Sequence, residues 1–137
     1  AAFGILQLQG IDEALQKRRA IDERYRSVLA GVAGIRCIAA TAGEGSNYAY
    51  FPILVQPDYP LSRDDLYLKM QEHGIFARRY FYPLISDFPM YRGMPSAAHA
   101  NLPVAKKLAE QVICLPIYPD LSFADVDRVA GLIASGA

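Results

Sequence analysis

Tyr48-Ala49-Tyr50-Phe51-Pro52-Ile53-Leu54-Val55 is the stretch on which the fold turns. Its aromatic and branched residues suit a pleated, half-buried surface, and the run predicts a strand. Pro52 removes one ladder donor, so an edge or a bulge is expected there. Upstream, Ile35-Arg36-Cys37-Ile38 predicts a short strand and Thr41 to Asn47 a Gly-rich loop. Downstream, Pro57 and Pro60 punctuate a loop. Ser62-Arg63-Asp64-Asp65 has the pattern of a capping box, with Asp in place of Glu, and opens a helix to His73 that Gly74 closes. Ile75 to Tyr82 alternates Phe76, Arg78, Tyr80 and Tyr82 with Ala77, Arg79 and Phe81, which predicts another strand.

The flanks supply helices. Phe3 to Ala30 predicts one long helix, or two in line, with Gly10 as the soft point and Gly31 and Gly34 at its end. Its opening, Ala1-Ala2-Phe3-Gly4-Ile5-Leu6, has no Ser, Thr, Asp or Asn cap. An uncapped start leaves N–H groups without partners, so the element is expected to begin upstream of Ala1. Pro83 to Pro103 is Pro- and Gly-punctuated, and a loop of that length inside a small domain is a place to look for function. Leu102 to Glu110 predicts a helix with Pro103 in its first turn. Val112 to Pro116 predicts a buried strand, and Phe123 to Ala134 a last helix behind Ser122 and Asp125. The order α-β-β-α-β-loop-α-β-α predicts an α/β (α+β) fold: a small mixed or antiparallel sheet with helices on one side and a long N-terminal helix.

Composition narrows the function classes. The chain has 137 residues, 53% hydrophobic and 20% charged, which is one domain with a packed core. Fourteen Lys plus Arg balance fourteen Asp plus Glu, so the cation surplus of a nucleic-acid or membrane-surface binder is missing. No apolar run reaches the roughly 20 residues that span a bilayer. Cys37 and Cys114 lie far apart without metal-site spacing and are expected to stay unpaired, as in a cytoplasmic protein.

Few residues could carry chemistry. His73 falls in a helix's last turn, where a structural role is expected, and His99 in the irregular loop. The run Arg78-Arg79-Tyr80-Phe81-Tyr82-Pro83-Leu84 sets two guanidiniums beside three rings, which suits an anionic or ring-shaped ligand. A half-exposed strand whose arginines solvate one edge would look the same. Asn47-Tyr48-Ala49-Tyr50 is a second, weaker candidate beside the reading of a core-packing aromatic strand.

Taken together, the opening Ala1 to Glu13 with Lys17-Arg18-Arg19, the run Gly74-Ile75-Phe76-Ala77-Arg78-Arg79-Tyr80-Phe81-Tyr82-Pro83-Leu84, and Leu115-Pro116-Ile117-Tyr118-Pro119-Asp120-Leu121-Ser122 resemble the DegT/StrS-type nucleotide-sugar aminotransferases. The matches follow the family's order along nearly the whole chain. The resemblance implies the C-terminal small domain of a fold-type I pyridoxal-phosphate enzyme. Residues 1–30 would be a linking helix continuing from a missing N-terminal domain, and residues 31–137 the small domain.

The resemblance also implies what such a piece does. The cofactor lysine, the acid on the pyridine nitrogen and most phosphate contacts would lie in the missing domain. Lys17, Lys69, Lys106 and Lys107 do not match the lysine's motif. Pyridoxal phosphate is therefore expected in the parent enzyme and none on this piece, which would be inactive alone. The parent would move an amino group from glutamate to a nucleotide-linked keto-deoxysugar. Many members carry His-Tyr where this chain has Tyr80-Phe81; Tyr80 keeps a polar hydroxyl but not a base titrating near neutral pH. Tyr80 and Arg79 are expected near the sugar, with Tyr82 and Tyr48 as supports. A homodimer or self-association through the N-terminal helix, and a cytoplasmic location, are expected, with no nucleic-acid or membrane partner. The rival reading is a non-enzymatic small-ligand or partner-binding module using Arg78 and Arg79.

Overall fold

The computed structural model describes residues 2–39 and 45–136. Ala1 and the first part of the expected Gly-rich loop lie outside the described residues. Three antiparallel strands form the sheet: β1 (Ile35–Cys37), β2 (Phe51–Val55) and β3 (Val112–Leu115), with β2 in the middle. Ile35 pairs with Val55 and Cys37 with Ile53, while Phe51 pairs with Leu115 and Leu54 with Val112.

Pro52 thus sits in the central strand, where a missing donor should hurt most. It is tolerated because β1 stops at Cys37, opposite Ile53, and leaves no ladder beside Pro52 on that side. On the other side its partner is Cys114, whose N–H and C=O turn away to Arg78 at 2.8 and 3.0 Å. The expected edge exists, but only locally.

Two of the expected strands are shorter than their sequence patterns. The one over Tyr48–Val55 begins at Phe51, because Tyr48 has φ 48°, in the left-handed region. The one over Ile75–Tyr82 is reduced to a single bridge between Arg78 and Cys114. Alternation does begin, with Ile75 and Ala77 buried and Phe76 and Arg78 exposed. Phe81 then takes φ 48° and ends the extended run.

The N-terminal helix is two in line, α1 (Ala2–Gln9) and α2 (Ile11–Leu29), broken at Gly10. Then come α3 (Arg63–Glu72), α4 (Pro103–Gln111) and α5 (Phe123–Ala134). Ser62 and Ser122 cap α3 and α5: each hydroxyl oxygen accepts the N–H three residues on, at 3.1 Å. The short Asp side chains do not reach back to the cap's backbone as Glu would. Each carboxylate instead accepts the serine hydroxyl, at 2.6 Å for Asp65 and 2.7 Å for Asp125.

Helices α2, α3 and α5 share one core with a single face of the sheet. Tyr25 stacks on Phe51 at 4.9 Å between ring centres, and Ile21, Leu66, Met70, Ile113, Val126 and Ile133 fill in around them. The polar ends are satisfied, since Tyr25 donates to the carbonyl of Pro116 at 3.1 Å and Tyr59 to that of Ile133 at 2.6 Å. Arg24 of α2 and Asp127 of α5 form a two-bond clamp at 2.8 and 2.7 Å. Gly34 has φ 75°, and a Cβ there would lie 2.4 Å from the Tyr59 backbone nitrogen, so both conformation and space demand glycine. In α1, by contrast, no residue is buried, and Phe3, Ile5, Leu6 and Leu8 are all exposed. Among the described residues no helix is long and apolar enough to cross a membrane. The 83–103 segment is a chain of 3₁₀ turns at Ile85–Asp87, Pro95–Ala97 and His99–Asn101.

Candidate functional site

The segment that leaves the sheet at Arg78 is tied down by α3. The Arg79 guanidinium lies 4.6 Å from the Tyr67 ring centre and 4.9 Å from that of Tyr82. The buried Arg63 stacks on Tyr82 at 4.5 Å. Asp64 joins the two arginines, 2.9 Å from Arg63 and 3.2 Å from Arg79. Cations on ring faces and a shared carboxylate hold Tyr82 in place from two sides. Arg79 is therefore largely committed inside the chain, and Tyr82 acts as a prop.

Tyr80 projects differently. It is half-buried, with its ring 5.0 Å from Tyr50 and 4.1 Å from the exposed Phe81. Positive φ at Phe81 and Tyr48 stores backbone strain on both sides of this ring cluster, a feature that concentrates at functional sites. Of the four residues expected from the sequence, Arg79 and Tyr82 touch one another. Tyr80 is their chain neighbour but packs on Tyr50. Tyr48 lies within electrostatic reach of Arg19 and Arg26 on α2.

Next to Tyr80 is a cavity of about 310 Å³. Arg78, Tyr50, Phe76, Cys114, Pro116 and Tyr118 line it. Of these, only Arg78 and Tyr50 fall in the two runs that the sequence singles out; Phe76, Cys114, Pro116 and Tyr118 do not, and the one signal for Tyr118 is its place in the Pro-rich stretch just beyond β3. On the far side of Tyr82 an apolar cavity of about 540 Å³ runs between Phe81, Leu84, Ile85 and Phe88.

The remaining reactive groups are quiet. Burial pushes the Cys114 thiol up to about 11, against the opposing pull of Arg78, so it is protonated at neutral pH and no nucleophile. Burial also raises the Cys37 thiol, and both cysteines are free. His73 closes α3 with Nδ1 2.9 Å from the carbonyl oxygen of Lys69, the structural place expected for it. His99 is exposed, 3.7 Å from Asp87. No group of three or more metal-ligating side chains comes together among the described residues.

Comparison with known proteins adds the chain's relatives. The model of the DegT/DnrJ/EryC1/StrS aminotransferase family matches residues 1–134. The dTDP-4-amino-4,6-dideoxy-D-glucose transaminase of Escherichia coli is 45% identical over 133 residues, covering 97% of this chain and 36% of that protein. Among solved structures, the aminotransferase TlmJ from Streptoalloteichus hindustanus matches with a TM-score of 0.79 at 30% identity, over 97% of this chain and 34% of that one. DesI, solved in the presence of its TDP-sugar product, matches with a TM-score of 0.88 at 27% identity, over 96% of this chain and 33% of that one. The chain thus spans about a third of the length of the relatives it matches.

Proposed function

The chain belongs to the DegT/DnrJ/EryC1/StrS aminotransferase family, and from that premise we propose that it is the small C-terminal domain of a nucleotide-sugar aminotransferase. The whole enzyme would move an amino group from glutamate to a keto-deoxysugar carried on a nucleoside diphosphate. Residues 1–30 form its linking helix and 31–137 the small domain. The observation that carries the reading is the 45% identity to a dTDP-sugar transaminase along 97% of the chain.

Within that enzyme Tyr80 presents its hydroxyl to the sugar and orients it. Arg79 and Tyr82 hold the Tyr80 segment against α3, and Tyr48 supports the approach to Tyr50 from the chain side. The two free thiols suit a reducing cytoplasm. The exposed apolar residues of α1 suit a face covered in a homodimer, which sedimentation of the whole protein would test.

Pyridoxal phosphate belongs to the family's chemistry, and the described residues do not fit its site. Lys106, which borders a small cavity at Tyr82, gives its ammonium to Asp87. Lys17 is paired with Glu13 at 2.7 Å. Neither Lys69 nor Lys107 borders the cavities described above. The anchoring lysine and the chemistry it supports therefore belong outside these residues.

The test is Tyr80→Phe in the complete enzyme, with the two half-reactions followed separately. Removing one hydroxyl contact to a neutral sugar should slow the sugar half-reaction a few-fold to tenfold, or about 0.5–1.5 kcal/mol, and leave the glutamate half-reaction unchanged. Equal slowing of both would make Tyr80 a structural residue.

A further inference from the structure

We infer that Arg63 is a positioning residue for the proposed reaction: it touches no substrate, and it fixes Tyr80 by holding the ring of Tyr82. The functional half of this rests on the placement of Tyr80 at the sugar proposed above; the packing around Arg63 does not.

Arg63 stands against three local costs. It is 4% exposed, and desolvating a guanidinium is unfavourable unless its donors are all matched. It is the first residue of α3, where the helix dipole disfavours a cation. Its Nε lies 2.9 Å from the Asp64 carboxylate without an aligned hydrogen bond, and its Nη1 donates to the Val112 carbonyl only at 3.4 Å. An apolar side chain of the same length would fill the space without these costs. A residue that breaks several local rules at once is retained for what it touches. Additional chain packed against these residues can only bury Arg63 further.

What it touches is Tyr82. The guanidinium lies 4.5 Å from the centre of that ring and is anchored behind it by the start of α3 and the start of β3. Arg79 stacks on the same ring at 4.9 Å, but its side chain is 35% exposed. Arg79 also belongs to the segment being held and moves with it, whereas Arg63 belongs to α3. A cation on a ring is held more strongly where water is excluded, so Arg63 is the firmer of the two props.

The link from Tyr82 to Tyr80 is one residue long. Phe81, between them, holds φ 48°, a conformation that a residue with a bulky ring keeps only where both of its sides are fixed. Tyr80, packed 5.0 Å from Tyr50, fixes one side, and Tyr82 on Arg63 fixes the other. Releasing Tyr82 lets Phe81 return to negative φ, which turns Tyr80 away from Tyr50.

The test uses the whole protein that carries this chain, with 3-fluorotyrosine placed at position 80 alone and the two half-reactions followed separately. Arg63→Met keeps the length and removes the flat cation, and Arg63→Lys keeps the charge without the plane. Arg63→Met should shift or split the fluorine resonance of position 80 with no substrate present. It should also raise KM for the nucleotide sugar about three- to tenfold and leave the glutamate half-reaction unchanged. Arg63→Lys should recover part of both losses. Ile133→Val, which thins the core on α5, should lower the urea midpoint and move neither readout. A resonance in folded Arg63→Met identical to the parent's would overturn the inference. So would equal slowing of both half-reactions, or failure of both variants to fold, since Arg63 would then be an ordinary part of the core. A shifted resonance with an unchanged sugar KM would overturn it too and leave the aminotransferase reading standing. A shifted resonance in a protein whose parent form transfers no amino group would sink that reading and leave the hold of Arg63 on Tyr80 in place.

Discussion

The face of the sheet that meets α2 and α5 carries Phe51, Ile53, Ile113 and Leu115 at 3% exposure or less; the opposite face is also buried at Leu54, Val112 and Cys114 but opens beyond the strands, where Phe76 is 76% and Tyr50 51% exposed. Both faces are built from the same kinds of residue. The difference is how far the cover extends: three helices along one side, and on the other a cover over Leu54, Val112 and Cys114 that stops short of the end where Arg78, Tyr118 and Tyr80 gather. Burial of the first face drives folding through apolar area removed from water. Only the end of the second face beyond Cys114 stays open among the described residues, with aromatic rings exposed around Arg78. Alternation along a strand therefore does not by itself separate packing from exposure: Ile53 and Leu54 point to opposite faces and both are buried, and what differs is the cover at the end of the sheet.

The contrast is broken most severely by a change on the packed face. Ile113→Ala opens a cavity at a site with no exposed surface and should destabilise the chain by about 2–5 kcal/mol. Urea unfolding should show a large drop in midpoint, while any nucleotide affinity of the surviving folded protein stays unchanged. A loss below about 1 kcal/mol would mean that the helices do not close this face as tightly as the packing shows.

Much of the packed side is legible from sequence. Ser62 and Ser122 announce their helices, Gly10 its break, and the apolar stripes of α2 and α5 the core, because each signal is local or periodic. The open side is harder to read. Tyr48 and Tyr50 are two residues apart and would share one face of a continuous strand. The left-handed turn at Tyr48 separates them, so it is Tyr50 that meets Tyr80. The run from Ile75 alternates as a strand does, yet only Cys114 is there to pair with it before Phe81 turns away. Arg63, Asp64 and Tyr67 embrace Arg79 and Tyr82 across a gap of some fifteen residues, and nothing local in α3 points to that contact. Sequence patterns give the face of a residue; they do not give the partner.

Cys114 sharpens the contrast from the boundary, since its side chain borders the open cavity and is still 4% exposed. Burial raises its thiol from about 9 to about 11. The unfolded chain therefore releases this proton first, and stability that is fully present below pH 9 is lost as the pH rises toward 11. The loss should reach about 1 kcal/mol by pH 10. Burial also raises the Tyr25 phenol, which adds its own alkaline decline, so the informative quantity is the difference between parent and Cys114→Ala. The urea midpoint of Cys114→Ala should fall less between pH 8 and pH 10. Parallel declines would place the thiol in water and the cavity's floor with it.

Arg79→Gln should have the smallest effect on stability and the clearest effect on function. Arg79 is partly exposed, and its pair with the half-exposed Asp64 is of the kind that contributes about 0–1 kcal/mol. Its contacts with Tyr67 and Tyr82 add a similar amount. Glutamine keeps part of the stem's packing, so the urea midpoint should shift by no more than about 1 kcal/mol. Tyr82 keeps Arg63 beneath it but loses its second prop, and the adjoining Tyr80 gains freedom. In the complete enzyme this should raise KM for the nucleotide sugar a few-fold while the glutamate half-reaction holds its rate. If Arg79→Gln instead destabilised the chain as much as Ile113→Ala, the open side would be part of the same cooperative core. The distinction between the packed core and the open end would then be false.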